Sequence, residues 1–318
     1  MCRIWILVAM KSKFAVGALE RYFVVVLVLL ATMSLMWPYL FLWFKPWIVF
    51  ALGVVIFSIG VHTPFSSLIQ PFTKPGGVLA LVLLRYGLMP CAAYVIANSL
   101  ALTTTETIGL LVLGTAPGGA AANVMAYLAK ANVGLTVLLT VGSTLLSPLI
   151  TPALIYLFLH QVIHIDASTM AVHIGLIIFA PISLGLLCAH YHLPLIEHIK
   201  KGLPFCAMLM IAMIVACVVA RNQAAILQFP GKLLFAVLIL NGVGYIVGAT
   251  AAYLLGWDRA SILATMFDCG MFDGAVAIII CTLYFSNDTA LAAVYMGVVQ
   301  NITGPILIRY WKLKRPRR

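Results

Sequence analysis

Two stretches decide how this chain folds: LLVLGTAPGGAAANVMAYLAK at residues 110–130 and ATMFDCGMFDGAVAIII at residues 264–280. Each starts and finishes as an apolar helix and is broken in between. In the first, Pro117 lacks an amide proton and clashes with the preceding turn, and Gly118 and Gly119 follow at once. In the second, Gly270 and Gly274 interrupt a run that also carries Asp268 and Asp273. Backbone that leaves the helix at membrane depth exposes unpaired carbonyls and amides, which is tolerated only around a polar cavity.

Composition places both stretches in a bilayer. Hydrophobic residues make up 64% of the 318, charged residues 8%, and mean hydropathy is +1.13. A soluble domain carries about 25% charged residues, so water cannot solvate most of this surface. A spanning helix needs roughly 20 apolar residues. Apolar runs fall at 22–37, 47–62, 76–99, 107–129, 133–159, 169–190, 203–220, 231–256, 259–285 and 289–311. The expected architecture is an all-α membrane protein of ten transmembrane helices, one polytopic domain over 1–318, with no room for a sizeable soluble domain. The first ten residues, MCRIWILVAM, are too short for a span and lack a signal-peptide cleavage site, so they are expected to form an interfacial lead-in.

Net charge is +11, from 19 Lys and Arg against 8 Asp and Glu. The basic residues sit at helix ends and on the tail KLKRPRR (312–318), a pattern that fits topology and anionic lipid rather than nucleic acid. With a cytoplasmic N-terminus and ten alternating spans, fifteen basic residues fall inside and three (Lys45, Arg221, Lys232) outside. This excess predicts that both termini are cytoplasmic, in a plasma (inner) membrane. Seven cysteines lie mostly inside apolar runs with no CxxC pair, and seven histidines show no ligand spacing, so neither a disulfide framework nor a zinc site is expected.

Arg85, in the third span, is the remaining basic residue, and Asp268 and Asp273 are the acids within an apolar run. Each such charge costs about 2.5–3.5 kcal/mol on insertion scales and normally faces a cavity or a partner. An Arg–Asp pair can lock helices together and also line a site.

Ten spans divide into two sets of five, and an odd number per set makes the second half enter the membrane inverted. The repeats are expected at about 20–160 and 168–311, with the basic tail 312–318 behind them. The fourth and ninth spans then occupy equivalent positions, and both are interrupted, as in transporters whose site lies at discontinuous helices. Half-helix N-termini at about Ala120 and Gly274 would offer partial positive charge to an anion, and half-helix C-termini would suit a cation. Thr136 and Thr140, four apart on the fifth span, share one face.

These residues resemble the bile acid:sodium symporter family over nearly the whole chain. The most specific stretch is PGGAAANVMAYLAKANVGLTVLLTVGSTLLSPLITPAL (117–154). RYGLMP (85–90), NGVGYIVG (241–248), CGM (269–271) and QNITG with a following YW (300–311) support it. The resemblance implies two inverted five-helix repeats, a panel and a core domain, and discontinuous helices 4 and 9 that cross. It puts sodium ions behind the crossover and the organic anion in front. Carried over residue by residue, it implies a first sodium site of Asn123, Thr136, Thr140 and Asp268, with Ala122 where a serine ligand is usual. The second site departs. Arg85 stands where the family has a glutamine, and Phe272, after Cys269 and Met271, stands where it has another. Asp273 replaces an asparagine.

The expected function is therefore secondary active transport of a small organic anion, bile-acid-like or pantoate- or keto-acid-like. It would be coupled to at most one sodium, Arg85 taking the place of the second and pairing with Asp268 or Asp273 by forked hydrogen bonds. Ala120, Asn123, Asp273, Asn301 and His62 are the expected substrate contacts. An added carboxylate at Asp273 should repel an anion unless Arg85 neutralises it, so either that pair forms or the substrate is not a simple monoanion. A proton-coupled or ion-independent transporter and a non-transporting membrane sensor are the alternatives. An intramembrane aspartyl protease is disfavoured, since its carboxylates normally face each other from two helices, whereas these are five apart on one span. No cofactor and no obligate protein partner are expected; the partners are the bilayer and the solute.

Overall fold

A computed structural model describes residues 26, 29–62, 77–159, 166–191, 196, 199–200, 202–227 and 231–313. The lead-in at 1–10, the tail beyond 313, and His160, His164 and His192 lie outside the described residues. Among the described residues the helices of eight or more residues are α1 (29–36), α2 (Ile48–His62), α3 (Val78–Ser99), α4 (Thr104–Thr115), α5 (Ala120–Ala129), α6 (Val133–Leu159), α7 (Ala167–His190), α8 (Leu203–Arg221), α9 (Gly231–Leu254), α10 (Arg259–Gly270), α11 (Gly274–Tyr284) and α12 (Leu291–Leu313). Seven helical stretches among the described residues are long and apolar enough to cross a membrane, and Ala120–Ala129 and Gly274–Tyr284 are shorter apolar helices. The run expected at 107–129 is thus α4 and α5, and the run at 259–285 is α10 and α11.

The surface is that of a protein solvated by lipid. Leu149 is 69% exposed and Ile246 67%, an outward apolar face that would be a liability in water. The polar side chains turn inward: Arg85, Thr115, Thr136, Ser143, Ser147, Thr151 and Asp268 are all buried. Hydroxyls mend the helix breaks. Pro148 inside α6 has no amide to donate to the Thr144 carbonyl, and Ser147 Oγ donates to that oxygen instead at 2.8 Å. Thr151 Oγ1 donates to the Thr115 carbonyl at the end of α4 at 2.8 Å.

The ends of helices carry the signals expected of them. Thr103 and Glu106 form a reciprocal capping box ahead of α4. Lys130 closes α5 in the left-handed region at φ 56°. Asp166 caps α7, and the Ser168 and Thr169 hydroxyls and amides on its oxygens hold its carboxyl well below the usual range.

The helices form two packed groups, joined where α6 packs along α7. In one, α2 packs against α7 and α8. In the other, α3 packs on α4, α6 and α9, while α10 packs on α5, α6 and α9, and α12 on α4, α5, α9 and α11. Each interrupted pair therefore contacts helices of both halves of the chain. The first group is held at backbone distance by two glycines: a Cβ on Gly60 would lie 2.5 Å from the Ile182 carbonyl oxygen, and one on Gly185 2.5 Å from that of Phe57. Replacing Gly185 by leucine should force α2 and α7 apart at a cost of about 1–3 kcal/mol. Its check is the melting temperature of the detergent-purified protein, and an unchanged midpoint would contradict the close approach.

Candidate functional site

The two broken segments meet. Helix α4 stops before Pro117, with Ala116 already extended at ψ 148°, and α10 stops before Met271, extended at ψ 122°. Between each stop and the next helix the chain is unwound, and the two unwound stretches pair as an isolated antiparallel bridge of Gly118 with Phe272. Gly119 N donates to the Met271 carbonyl at 3.0 Å, and Asp273 N to the Pro117 carbonyl at 2.9 Å. Side chains from three further helices take other backbone groups. Gly118 N donates to Ser143 Oγ at 3.0 Å, Phe272 N to Gln300 Oε1 at 3.1 Å, and Asn241 Nδ2 to the Gly270 carbonyl at 2.8 Å. Glycine is required at this contact, because a Cβ on Gly119 would sit 2.5 Å from the Phe272 carbonyl oxygen.

Arg85 reaches this crossover from α3 and is 1% exposed. Nη1 donates to the Asp268 carbonyl and Nη2 to the Ala116 carbonyl, the latter at 3.1 Å. Nη1 also lies 3.9 Å from Asp268 Oδ2, and the guanidinium carbon stands 4.8 Å from the centre of the Phe272 ring. One cation thus faces backbone oxygens at the C-terminal ends of both interrupted helices, where the helix dipole is negative. Its ion pair is with Asp268. No ion pair among the described residues joins it to Asp273. Arg85 Nε is buried without a partner among them.

Of the expected first sodium ligands, Thr140 and Asp268 are brought together: Thr140 Oγ1 lies 3.0 Å from Asp268 Oδ1 and 3.0 Å from the Thr136 carbonyl. Thr136 Oγ1 donates to the Asn132 carbonyl at 3.2 Å. Asn123 Oδ1 is buried with no hydrogen-bond partner among the described residues. A buried amide oxygen, hydroxyls and a carboxylate are the donor types a hard cation prefers, and α5, α6 and α10, which carry them, pack on one another. In donor type, though not by a distance shared by them all, these residues suit a hard monovalent cation.

In front of the crossover lies a cavity of about 590 Å³, within the usual range for small-molecule sites. Its walls are mostly apolar, with α2 and α8 opposite the crossover, and it reaches Ala120, Asp273 and Asn301. Gly119 caps α5 without a side chain, and Ala120 and Ala121 at the start of α5 line the cavity. The other half-helix differs from the sequence expectation. Asp273 Oδ1 itself accepts from Ala275 N at 3.1 Å and Val276 N at 3.2 Å, so the amides at the start of α11 are already used. Two expected contacts are not on the cavity wall. His62 ends α2, is exposed, and has its ring nitrogen 2.8 Å from the Ser58 carbonyl of its own helix; Asn123 is not among the lining residues. Cys269 and Met271 are buried beside the crossover, outside the lining set.

Ser143, Asn241 and Gln300, which satisfy the unwound backbone, were not singled out from sequence. Their signals were present: Ser143 lies one turn beyond Thr140, Gln300 precedes Asn301, and Asn241 heads the NGVGYIVG segment.

The profile of the Sodium Bile acid symporter family matches residues 49–229. The chain belongs to this family. It is 32% identical over 288 residues to a Bacillus subtilis protein named as the uncharacterized sodium-dependent transporter YocS, covering 90% of this chain and 89% of that one. It is 27% identical to the probable sodium/metabolite cotransporter BASS1 of Arabidopsis thaliana, covering 90% and 72%. It is 25% identical to the ileal sodium/bile acid cotransporter of Oryctolagus cuniculus, covering 78% and 77%. These relatives are named as transporters, none as an enzyme. The chain is a multi-pass membrane protein of a sodium-dependent transporter family.

Removing one partner of a buried ion pair leaves the other uncompensated, at a cost of about 3–5 kcal/mol. Arg85→Met and Asp268→Asn should each lower the melting temperature strongly, and the double variant should lose less than the two singles together. Strict additivity would show that the pair is not energetically coupled.

Proposed function

We propose that this chain is a secondary active transporter of a small organic acid, bound through its carboxylate, and that it couples to at most one sodium ion because Arg85 takes the place of a second. The observation that carries the reading is the placement of the Arg85 guanidinium on the Asp268 and Ala116 carbonyls. Carbonyls at helix C-termini with a nearby carboxylate make a cation site, and a tethered cation already fills it. The remaining oxygens of Asn123, Thr136, Thr140 and Asp268 would hold the one mobile sodium, whose binding would neutralise charge behind the crossover.

The ten-span plan with two inverted repeats, about 20–160 and 168–311, belongs to the same reading. Support comes from the equivalent breaks after Thr115 and Gly270, each followed by a short helix that runs from the crossover. The plasma membrane with both termini cytoplasmic is supported by the distribution of Lys and Arg. The substrate would lie in the cavity with its carboxylate toward the open amides of α5, where the helix dipole favours an anion. The relatives' names, sodium/metabolite and sodium/bile acid cotransporters, fit a carboxylate-bearing solute with an apolar body. Among the described residues that line the cavity none carries a positive side chain, which leaves anion binding to backbone.

A sodium titration of solute binding or counterflow in proteoliposomes tests the reading. The expected Hill coefficient is near one. A coefficient near two would overturn the replacement of the second ion, and uptake insensitive to sodium but driven by an acid-outside gradient would replace sodium coupling with proton coupling. Arg85→Gln is expected to abolish or strongly reduce uptake in protein that still reaches the membrane. Normal uptake by that variant would show that the guanidinium is dispensable.

A further inference from the structure

We propose that Asp273 makes the cavity selective for organic acids that also carry an ammonium group: zwitterions of amino-acid type on an apolar body. This rests on the reading of the cavity as a carboxylate-binding transport site. Among the described residues that line the cavity, Asp273 is the one ionisable side chain. Its Oδ1 caps α11, but Oδ2 has no partner among the described residues. Among the described residues Arg85 forms no ion pair with it, being engaged by Asp268 and by the Asp268 and Ala116 carbonyls.

A carboxylate accepts hydrogen bonds and attracts cations, so an organic group that meets Oδ2 should be a donor, best a charged one. The two half-helix N-termini consequently differ. The first presents Ala120 and Ala121 with no side-chain cap and opens onto the cavity. The second is covered by the Asp273 carboxylate. The crossover holds the two side by side, since Gly119 and Asp273 both bond to the opposite unwound segment. The cavity therefore has a positive pole and a negative pole on one wall, the Gln300 and Asn301 amides on α12, and otherwise mostly apolar surface.

Charge balance points the same way. Arg85 and Asp268 cancel, leaving the negative charge of Asp273, which a single sodium would offset. A monoanion would then add an unmatched charge in a poorly screened site, whereas a zwitterion adds none. The neighbouring amides are partly spent: Gln300 Oε1 accepts from Phe272 N, and Asn301 Nδ2 donates to the Gly297 carbonyl at 2.7 Å. Neither Gln300 nor Asn301 supplies a charge to neutralise a carboxylate at Asp273.

Paired ligands of rising apolar bulk test this on the whole purified protein with sodium present: L-alanine and propanoate, L-leucine and 4-methylpentanoate, L-tryptophan and indole-3-propanoate. Melting-temperature shifts and counterflow in proteoliposomes are read for each. At least one amino acid should bind about tenfold or more tightly than its desamino partner, the discrimination of one charge-assisted hydrogen bond. Asp273→Asn and Asp273→Ser both keep a helix-capping residue and should erase that preference while the protein still melts cooperatively. Desamino acids that bind as well as or better than the amino acids would overturn the zwitterion inference and leave organic-acid transport standing. A preference that survives both variants would overturn the role of Asp273. Binding by neither series would overturn the inference together with the reading it rests on.

Discussion

Peptide groups that leave a helix in the middle of a bilayer must find their hydrogen bonds in protein, because lipid offers none. That constraint organises this structure. Two segments unwind, at residues 116–119 and 271–273, and each supplies what the other lacks through the bonds of Gly119 to Met271 and Asp273 to Pro117. Ser143, Asn241 and Gln300, from α6, α9 and α12, complete the arrangement. The crossover is a knot of backbone polarity that holds four half-helices at a common point. Their free ends then set the electrostatics around it.

At the C-terminal ends those electrostatics are met by a side chain. Arg85 has five donors in a planar fork, which suits it to carbonyls arriving from two directions. On the proposed reading, an ion that in principle could come and go is exchanged for a cation that is part of the chain. A tethered charge stabilises the crossover but cannot dissociate, so it contributes nothing to coupling. The same group holds Asp268 in place, and Asp268 with Thr140 in turn contributes to the neighbouring oxygen set. Structural locking and site formation are here one interaction.

The N-terminal ends are treated unequally, and this asymmetry gives the cavity its character. One is left to the cavity by Gly119, which has no side chain to cap with; the other is covered by Asp273. Sequence reading anticipated two open positive ends, and also that an Asp273 not neutralised by Arg85 would exclude a simple monoanion. Among the described residues Arg85 pairs with Asp268 and not with Asp273.

Much of this is legible in the sequence. Hydropathy placed the chain in a membrane, the Pro–Gly–Gly and Gly–Met breaks marked where the helices stop, and three charges in apolar runs marked where a polar interior must be. These are local properties: a residue's solvation preference and its allowed backbone angles travel with it. What remained open was every question about partners. Whether Arg85 meets Asp268 or Asp273, whether His62 reaches the cavity, and which side chains serve the unwound amides depend on residues up to 183 positions apart converging in three dimensions. The sequence by itself determined the medium, the breaks and the buried charges; only tertiary structure decided which charge neutralises which, because pairing is set by the packing of helices whose apolar faces look alike along the chain.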